Sequence, residues 1–236
     1  MERNVTSLRN GKWSLHFLFS SLLFLLSSVC VLAAEPIRIC CVGNSITYGY
    51  GMKNREADSY PAVLQSLLGD KAIVMNAGFN SRTMLMTADK PYMKEKLFHE
   101  ALAFEPEIVV IKLGTNDTKP QNWTTKEAFM HDMNTMIDSF ATIKSRPEIF
   151  LCYPIPTTGS RWGINDTIIR TQIIPAIKRV ARQRGLKVIN LYKKLKPHPE
   201  LISSDNIHPN RQGYKAIANS VSDFLKRKSK KLKKSL

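Results

Sequence analysis

The chain is poor in the residues that build disulfide or metal frameworks. Four cysteines occur in 236 residues: Cys30, Cys40, Cys41 and Cys152. None lies in a C-x-x-C pair or in a Cys/His spacing of the kind zinc takes, so no metal centre is expected. Cys40 and Cys41 are adjacent on a predicted strand and point to opposite faces, and Cys152 sits in another apolar run. They read as small buried hydrophobes. Internal repeats are absent. Acidic residues are scarce too, 19 against 35 lysines and arginines, for a net charge of +16. No nucleic-acid recognition motif accompanies that basicity, so no nucleic-acid partner is expected. A long apolar insertion of the kind a lipase lid uses is also missing. What remains is ordinary for a globular protein, with 43% apolar and 23% charged residues.

The positive charge is uneven. Residues 1–34 carry a net +2, residues 226–236 a net +7, and the body between them +7. Arg3, Arg9 and Lys12 precede an apolar run from Leu15 through Leu26. Val31-Leu32-Ala33 then offers small residues at the positions a signal peptidase reads, so residues 1–34 are expected to be an export signal, cleaved after Ala33 or Ala34. The alternative is an uncleaved anchor, because residues 13–34 are nearly long enough to span a bilayer. Export implies a periplasmic or secreted protein. At the other end, the lysines of residues 226–236 are expected to form a solvated, frayed basic tail. The competing reading has them contact an anionic lipid or polysaccharide surface.

Between these ends, residues 35–225 suffice for one domain with a single core. Short apolar runs alternate with longer amphipathic ones. Strands are expected at Ile37–Val42, Ala72–Met75, Glu107–Leu113, Glu148–Tyr153 and Leu186–Leu191. Helices are expected at Ser59–Leu68, Lys90–Phe104, Lys126–Ile143, Asp166–Arg184 and Asn210–Lys226. Strand–helix alternation with nearly continuous apolar strands argues for a parallel α/β sheet covered on both faces. In such sheets ligands bind beyond the carboxyl ends of the strands. The polar clusters Gly43-Asn44-Ser45, Asn80-Ser81-Arg82, Gly114-Thr115-Asn116-Asp117 and residues 154–165 all follow a strand and should gather on one rim.

That rim holds the parts of an acyl-transfer site. A serine is a poor nucleophile until a base lies within hydrogen-bond reach and a carboxylate orients the base. Ser45 follows a strand and a glycine. Asp205 and His208 lie three residues apart, so one turn can bring the carboxylate to one imidazole nitrogen and leave the other free. Asn116 can donate its side-chain amide to a developing oxyanion. Each feature alone has a dull explanation as a turn former or helix cap. Their joint occurrence, each after a strand, is hard to explain as packing.

The motifs together resemble the SGNH, or GDSL-like, hydrolases. Gly43-Asn44-Ser45-Ile46-Thr47 resembles the family's first block. Gly114-Thr115-Asn116-Asp117 resembles its G-x-N-D block, and Asp205-Asn206-Ile207-His208-Pro209-Asn210 its terminal D-x-x-H-P-N block. The resemblance implies a flavodoxin-like three-layer α/β/α sandwich with a parallel sheet of about five strands. It implies Ser45 as nucleophile, His208 as base and Asp205 as orienter, with no cofactor. The oxyanion hole would combine the Ser45 N–H, the Asn116 side chain and a main-chain N–H of the second block, usually a glycine's. Here Ser81 stands at that position, with Gly78 as the alternative alignment. Asn44 replaces the common aspartate before the nucleophile and is expected still to bond the nearby turn.

The substrate is read as a small acyl ester, favouring an acetyl group on carbohydrate. Residues 153–165 resemble the rim loop of carbohydrate O-acetylesterases in this family, and Trp162 could stack on a sugar ring there. Arg82 is the second expected substrate-binding residue. Two rivals stand beside this reading: a lysophospholipase or thioesterase with the same triad, kept open by the apolar stretch from Met84 to Met86, and a non-catalytic carbohydrate-binding module. Oligomeric state is not legible.

Overall fold

In the computed structural model, which describes Met1 and residues 35–235, five strands form one parallel sheet: β1 (Ile37–Gly43), β2 (Ala72–Gly78), β3 (Ile108–Lys112), β4 (Glu148–Cys152) and β5 (Lys187–Ile189). Their order across the sheet is β2-β1-β3-β4-β5. This is the doubly wound flavodoxin-like arrangement, whose chain reversal beside β1 opens a crevice at the strands' carboxyl ends. The expected export signal and Cys30 lie outside the described residues.

Alternation along each strand divides the core into two layers. Cys40, Val42, Val109, Ile111, Ile149 and Leu151 face α3 (Lys96–Ala103), α4 (Lys126–Ala141) and α5 (Ile174–Arg184). Ile39, Cys41, Ile108, Val110, Phe150 and Cys152 face α2 (Tyr60–Leu68) and α7 (Arg211–Lys228). The cysteines at 40, 41 and 152 are buried and free, as the composition suggested. Pro61 sits in the first turn of α2, where its missing N–H costs nothing.

Elements placed by apolar periodicity recur with small shifts, and three differences have physical causes. The expected Lys90–Phe104 helix is reduced to a 3-10 turn at Tyr92–Lys94 followed by α3, because Thr83 draws Lys90 and Tyr92 into a bridge with the preceding loop. The expected Asp166–Arg184 helix contains a π-helical stretch at Ile169–Ile173 just before Pro175, which has no N–H to offer the helical ladder. The last strand stops at Ile189, where Asn190 caps α6 (Leu191–Leu195) through its side chain.

The basic terminus departs most from expectation. Instead of fraying, the chain continues α7 to Lys228 and adds α8 (Lys230–Ser235). Ser229 and Leu232 are fully buried, the Ser229 hydroxyl donates to Glu148, and Lys231 Nζ donates to the carbonyls of Ser145 and Arg146 at 2.8 and 2.9 Å. A buried leucine in the register of an amphipathic turn, with the Ser229 and Lys231 hydrogen bonds, pins a lysine-rich segment beside the amino end of β4. Truncating Leu232 to alanine should therefore lower unfolding free energy by about 2–4 kcal/mol, measured by urea denaturation. A change of less than about 0.5 kcal/mol, as for a surface substitution, would mean that the segment is only loosely seated.

Candidate active site

The nucleophile turn is set by close backbone packing. β1 ends at Gly43, and Asn44 caps the one-turn helix α1 (Ser45–Tyr48) by accepting from the Ile46 N–H at 3.1 Å. Asn44 thus does locally what the family's aspartate would do. A Cβ on Gly43 would lie 2.1 Å from Thr47 Oγ1, and one on Gly78 would lie 2.1 Å from the Tyr48 nitrogen. Only hydrogen at both positions lets α1 sit directly on the ends of β1 and β2. Ser45 is thereby held at the crevice.

His208 arrives from the other end of the chain. Its Nε2 is 2.8 Å from Ser45 Oγ, and its Nδ1 is 2.6 Å from Asp205 Oδ2. The second carboxylate oxygen of Asp205 accepts from the Ser203 hydroxyl at 2.9 Å and from the main-chain N–H groups of Ile207 and His208, each at 2.8 Å. Burial alone would raise the Asp205 pKa. The donations from His208, Ile207 and Ser203 outweigh it and hold the carboxyl at about 2. Asp205 is therefore ionised near neutrality, Nδ1 must carry the hydrogen, and Nε2 is left to accept the Ser45 proton. Burial depresses the His208 pKa. Hydrogen bonding to Asp205 and the Asp205 charge oppose that, while the charges of Lys112 and Arg161 lower it further. The net fall keeps the ring neutral at pH 7, the form a general base needs.

Asn116 and Ser81 line the cleft with Ser45 and His208. Asn116 Nδ2 donates one hydrogen to the Arg82 carbonyl at 3.1 Å, which fixes the amide and leaves its other hydrogen for the cleft. Ser81 lines the same cleft with φ +65°, and neither its N–H nor that of Ser45 donates to another group among the described residues. Ser81 is strained there, since a serine occupies the left-handed region that glycine enters freely. Gly78 does not serve as the alternative, because its N–H is committed to Asn76 Oδ1 at 3.0 Å and its face is closed by α1. Donors so arranged can stabilise a tetrahedral oxyanion.

Ser45, Tyr50, Asn80, Ser81, Asn116, Lys119, Trp162, Ile164 and His208 line a cleft of about 260 Å³. Trp162 stands 46% exposed at its mouth with φ +58°, and its ring lies edge-on to Tyr50 and His208 at centroid distances of 6.3 and 5.7 Å. Packing into the core is thereby excluded for Trp162. Tyr50 lies against the His208 ring at 4.4 Å. Its side chain had no expected role, although its place two residues beyond α1 could have suggested one.

Arg82 corrects the expectation of a substrate ligand. Its guanidinium pairs with Glu95 at 2.7 Å, donates to the Asn80 carbonyl and stacks 3.9 Å from the Phe79 ring centroid, and it does not line the cleft. What reaches the site is its main-chain carbonyl, which holds Asn116. The apolar stretch from Met84 is likewise core: Met84 and Leu85 are fully buried, their N–H groups bonded to Asp117 Oδ1 at 2.9 and 2.8 Å. Met86, the third residue of the stretch, is partly buried and packs against the same core.

Lys112 was not foreseen. At the end of β3, beside Gly43, it is fully buried, and its Nζ makes no hydrogen bond among the described residues. Burial pushes its pKa down to about 7. An apolar strand that ends in lysine was the available signal, but such a residue usually snorkels to solvent.

Several known proteins are similar to this chain. The model of the GDSL-like Lipase/Acylhydrolase family matches residues 41–216. An acetylxylan esterase from Xylanibacter ruminicola is 41% identical over 209 residues, covering 81% of this chain and 44% of that protein, so this chain spans less than half the relative's length. Among solved structures, a lipase/acylhydrolase from Enterococcus faecalis matches at TM-score 0.66 and 25% identity, over 81% of this chain and 96% of that one. A carbohydrate acetylesterase family member from Sinorhizobium meliloti shares the fold at TM-score 0.63 and 20% identity, over 81% and 98% of the two chains.

Two outcomes follow from the geometry. If the Asn116 amide meets the oxyanion, Asn116→Ala should lower kcat by roughly 10²–10³ and move KM much less, as read from steady-state ester hydrolysis. A loss confined to KM would make Asn116 a ground-state contact. Lys112 bears on stability. An unfolded lysine titrates near 10.4, roughly, so between about 7 and 10 the unfolded chain holds a proton that the folded chain lacks. Stability then rises with pH through that window, and the cost of burial is fully felt below pH 7. Lys112→Met should raise Tm by several degrees, at roughly 2–4 °C per kcal/mol, and more at pH 6 than at pH 9. A Tm gain independent of pH would show that the amine is not desolvated.

Proposed function

The chain belongs to the GDSL-like lipase/acylhydrolase family, and on that premise we propose that this serine carboxylic-ester hydrolase removes acetyl groups from carbohydrate after export. The observation that carries the chemistry is the Ser45–His208–Asp205 chain of hydrogen bonds at 2.8 and 2.6 Å, in a cleft that Ser81 and Asn116 also line. Ser45 Oγ attacks the ester carbonyl while His208 Nε2 takes its proton. The tetrahedral oxyanion sits among the three donors, and Asp205 stabilises the imidazolium. His208 then returns the proton to the departing sugar oxygen, leaving an acyl-Ser45. Water, deprotonated by His208, attacks that ester, and acetate leaves.

The small acyl group is favoured by the cleft's modest volume and by the burial of Met84 and Leu85. Carbohydrate is favoured by the exposed Trp162 beside Tyr50, since aromatic faces suit the apolar face of a pyranose. The 41% identical relative is named for acetylxylan. Export rests on the n-region, apolar run and small residues of residues 1–34. No helix among the described residues is long and apolar enough to cross a membrane.

A chain-length series tests the reading. Hydrolysis of 4-nitrophenyl esters should fall in kcat/KM by at least tenfold, roughly, from acetyl to octanoyl, a methylene-by-methylene exclusion that a small pocket imposes. Acetate should also be released from acetylated xylan, and Ser45→Ala should abolish both activities. A preference for octanoyl esters or lysophospholipid would replace the acetylesterase by the lysophospholipase reading. Sugar binding by titration calorimetry with no turnover would leave only a binding module.

A further inference from the structure

The loop that carries Trp162 hangs on a residue of the base's own turn. At its start, Pro154 to Thr157 are buried, and the Thr157 N–H donates to Asp166 at 3.2 Å. At its end, the Asn165 N–H donates to the Thr118 hydroxyl at 3.0 Å. Between these anchors, among the described residues, only two hydrogen bonds tie residues 158–164 to the rest of the protein. Both run from Thr158 to Asn206: the Thr158 N–H donates to the Asn206 carbonyl, and the Thr158 hydroxyl to Asn206 Oδ1, each at 3.0 Å. Gly159 completes the contact. A Cβ there would lie 2.9 Å from the Asn206 Cβ and 3.3 Å from its Cγ, so the loop backbone rests directly on that side chain.

Trp162 needs such a hold. Its φ of +58° is a left-handed backbone that a tryptophan keeps only when its surroundings impose it. The Arg161 guanidinium, 4.5 Å from the Trp162 ring centroid, belongs to the same loop and moves with it. Asn206 is suited to provide the hold. It has φ +68°, a conformation that asparagine tolerates better than most residues. Its turn is closed without the loop: the Asn206 N–H donates to the Ser203 carbonyl, the Ser203 N–H to the His208 carbonyl, and the N–H groups of Ile207 and His208 to Asp205. The triad therefore does not depend on the bonds to Thr158. What those bonds place is the loop, and with it Trp162 beside the His208 ring.

We propose that Asn206 is a positioning residue for substrate: by clasping Thr158 and Gly159 it sets the loop that brings Trp162 to the cleft, so that a sugar seated there is registered against the turn that carries the base. The inference rests on the carbohydrate reading above. It confines the effect to esters large enough to touch Trp162. An ester with a short alkyl leaving group does not sense the clasp.

Acetate release from an acetylated xylo-oligosaccharide and from ethyl acetate tests this, read as the ratio of the two kcat/KM values. Gly159→Ala drives a methyl against Asn206. Asn206→Gly removes the clasping side chain and suits the positive φ. Each should lower the ratio about fivefold, the scale of one neutral hydrogen bond, mostly through KM for the oligosaccharide. The pH profile of ethyl acetate hydrolysis should stay in place in Gly159→Ala. Gly159→Ala should cost nothing further in an Asn206→Gly background, where the atoms it strikes are gone, and neither change should alter the ratio in a Trp162→Ala background. An unchanged ratio in the single variants would overturn the proposal, whether both esters are hydrolysed as before or both are slowed alike. A fivefold fall that persists without Trp162, or fully additive losses from Gly159→Ala and Asn206→Gly, would overturn it too. Failure of the underlying reading looks different: the unaltered enzyme would hydrolyse ethyl acetate and release no acetate from any acetylated sugar, and the proposal would fall with that reading.

Discussion

One imidazole ring joins the two ends of this fold. His208 is hydrogen-bonded to Ser45, 163 positions earlier in the chain, and to Asp205, three positions earlier. The first bond is possible only because α1 rests on Gly43 and Gly78, whose missing side chains let helix backbone touch strand ends. The second is possible because the Asp205 carboxylate is already saturated by its own turn and cannot swing elsewhere. Orientation of the base is therefore local, while its meeting with the nucleophile is a property of the whole sheet.

Charge in and below the cleft is arranged around that ring. Asp205 favours the imidazolium, while burial, Lys112 and Arg161 disfavour it, and the balance leaves a neutral base. Asp117 supports a different part. Burial raises its pKa to about 6 against the opposing donations of the Leu85, Met84, Asp117 and Gly114 N–H groups, and its carboxylate ties the second block to the G-x-N-D loop. Arg82 contributes to the same junction through its carbonyl rather than its charge. Arg82, which reads as a substrate ligand in the sequence, thus acts as a strut for Asn116.

The layers of the fold were legible because apolar periodicity records burial directly. The runs Ile37–Val42 and Glu107–Leu113 appear as β1 and β3 within a residue of their expected ends, and their alternation assigns each side chain to one of two cores. Periodicity was blind where a single residue decided the outcome. Leu232 among lysines turned an expected frayed end into a packed helix, and Pro175 gave one long helix a π-helical step. Lys112 and Tyr50 escaped for the same reason: neither interrupts a pattern, and each matters only through the group it lies against.

Order along the chain and residue chemistry determined the parallel α/β architecture and the set Ser45, Asn116, Asp205 and His208, because strand ends, turn formers and a three-residue Asp–His spacing are all local features. The commitment of the Gly78 N–H to Asn76, the turning of Arg82 toward Glu95, the burial of Met84 and Leu85, and the exposure of Trp162 were decided only in three dimensions. Each depends on which neighbours claim a donor, a charge or a face first. Those neighbours come from segments tens of residues away, so their competition leaves no mark in the linear order.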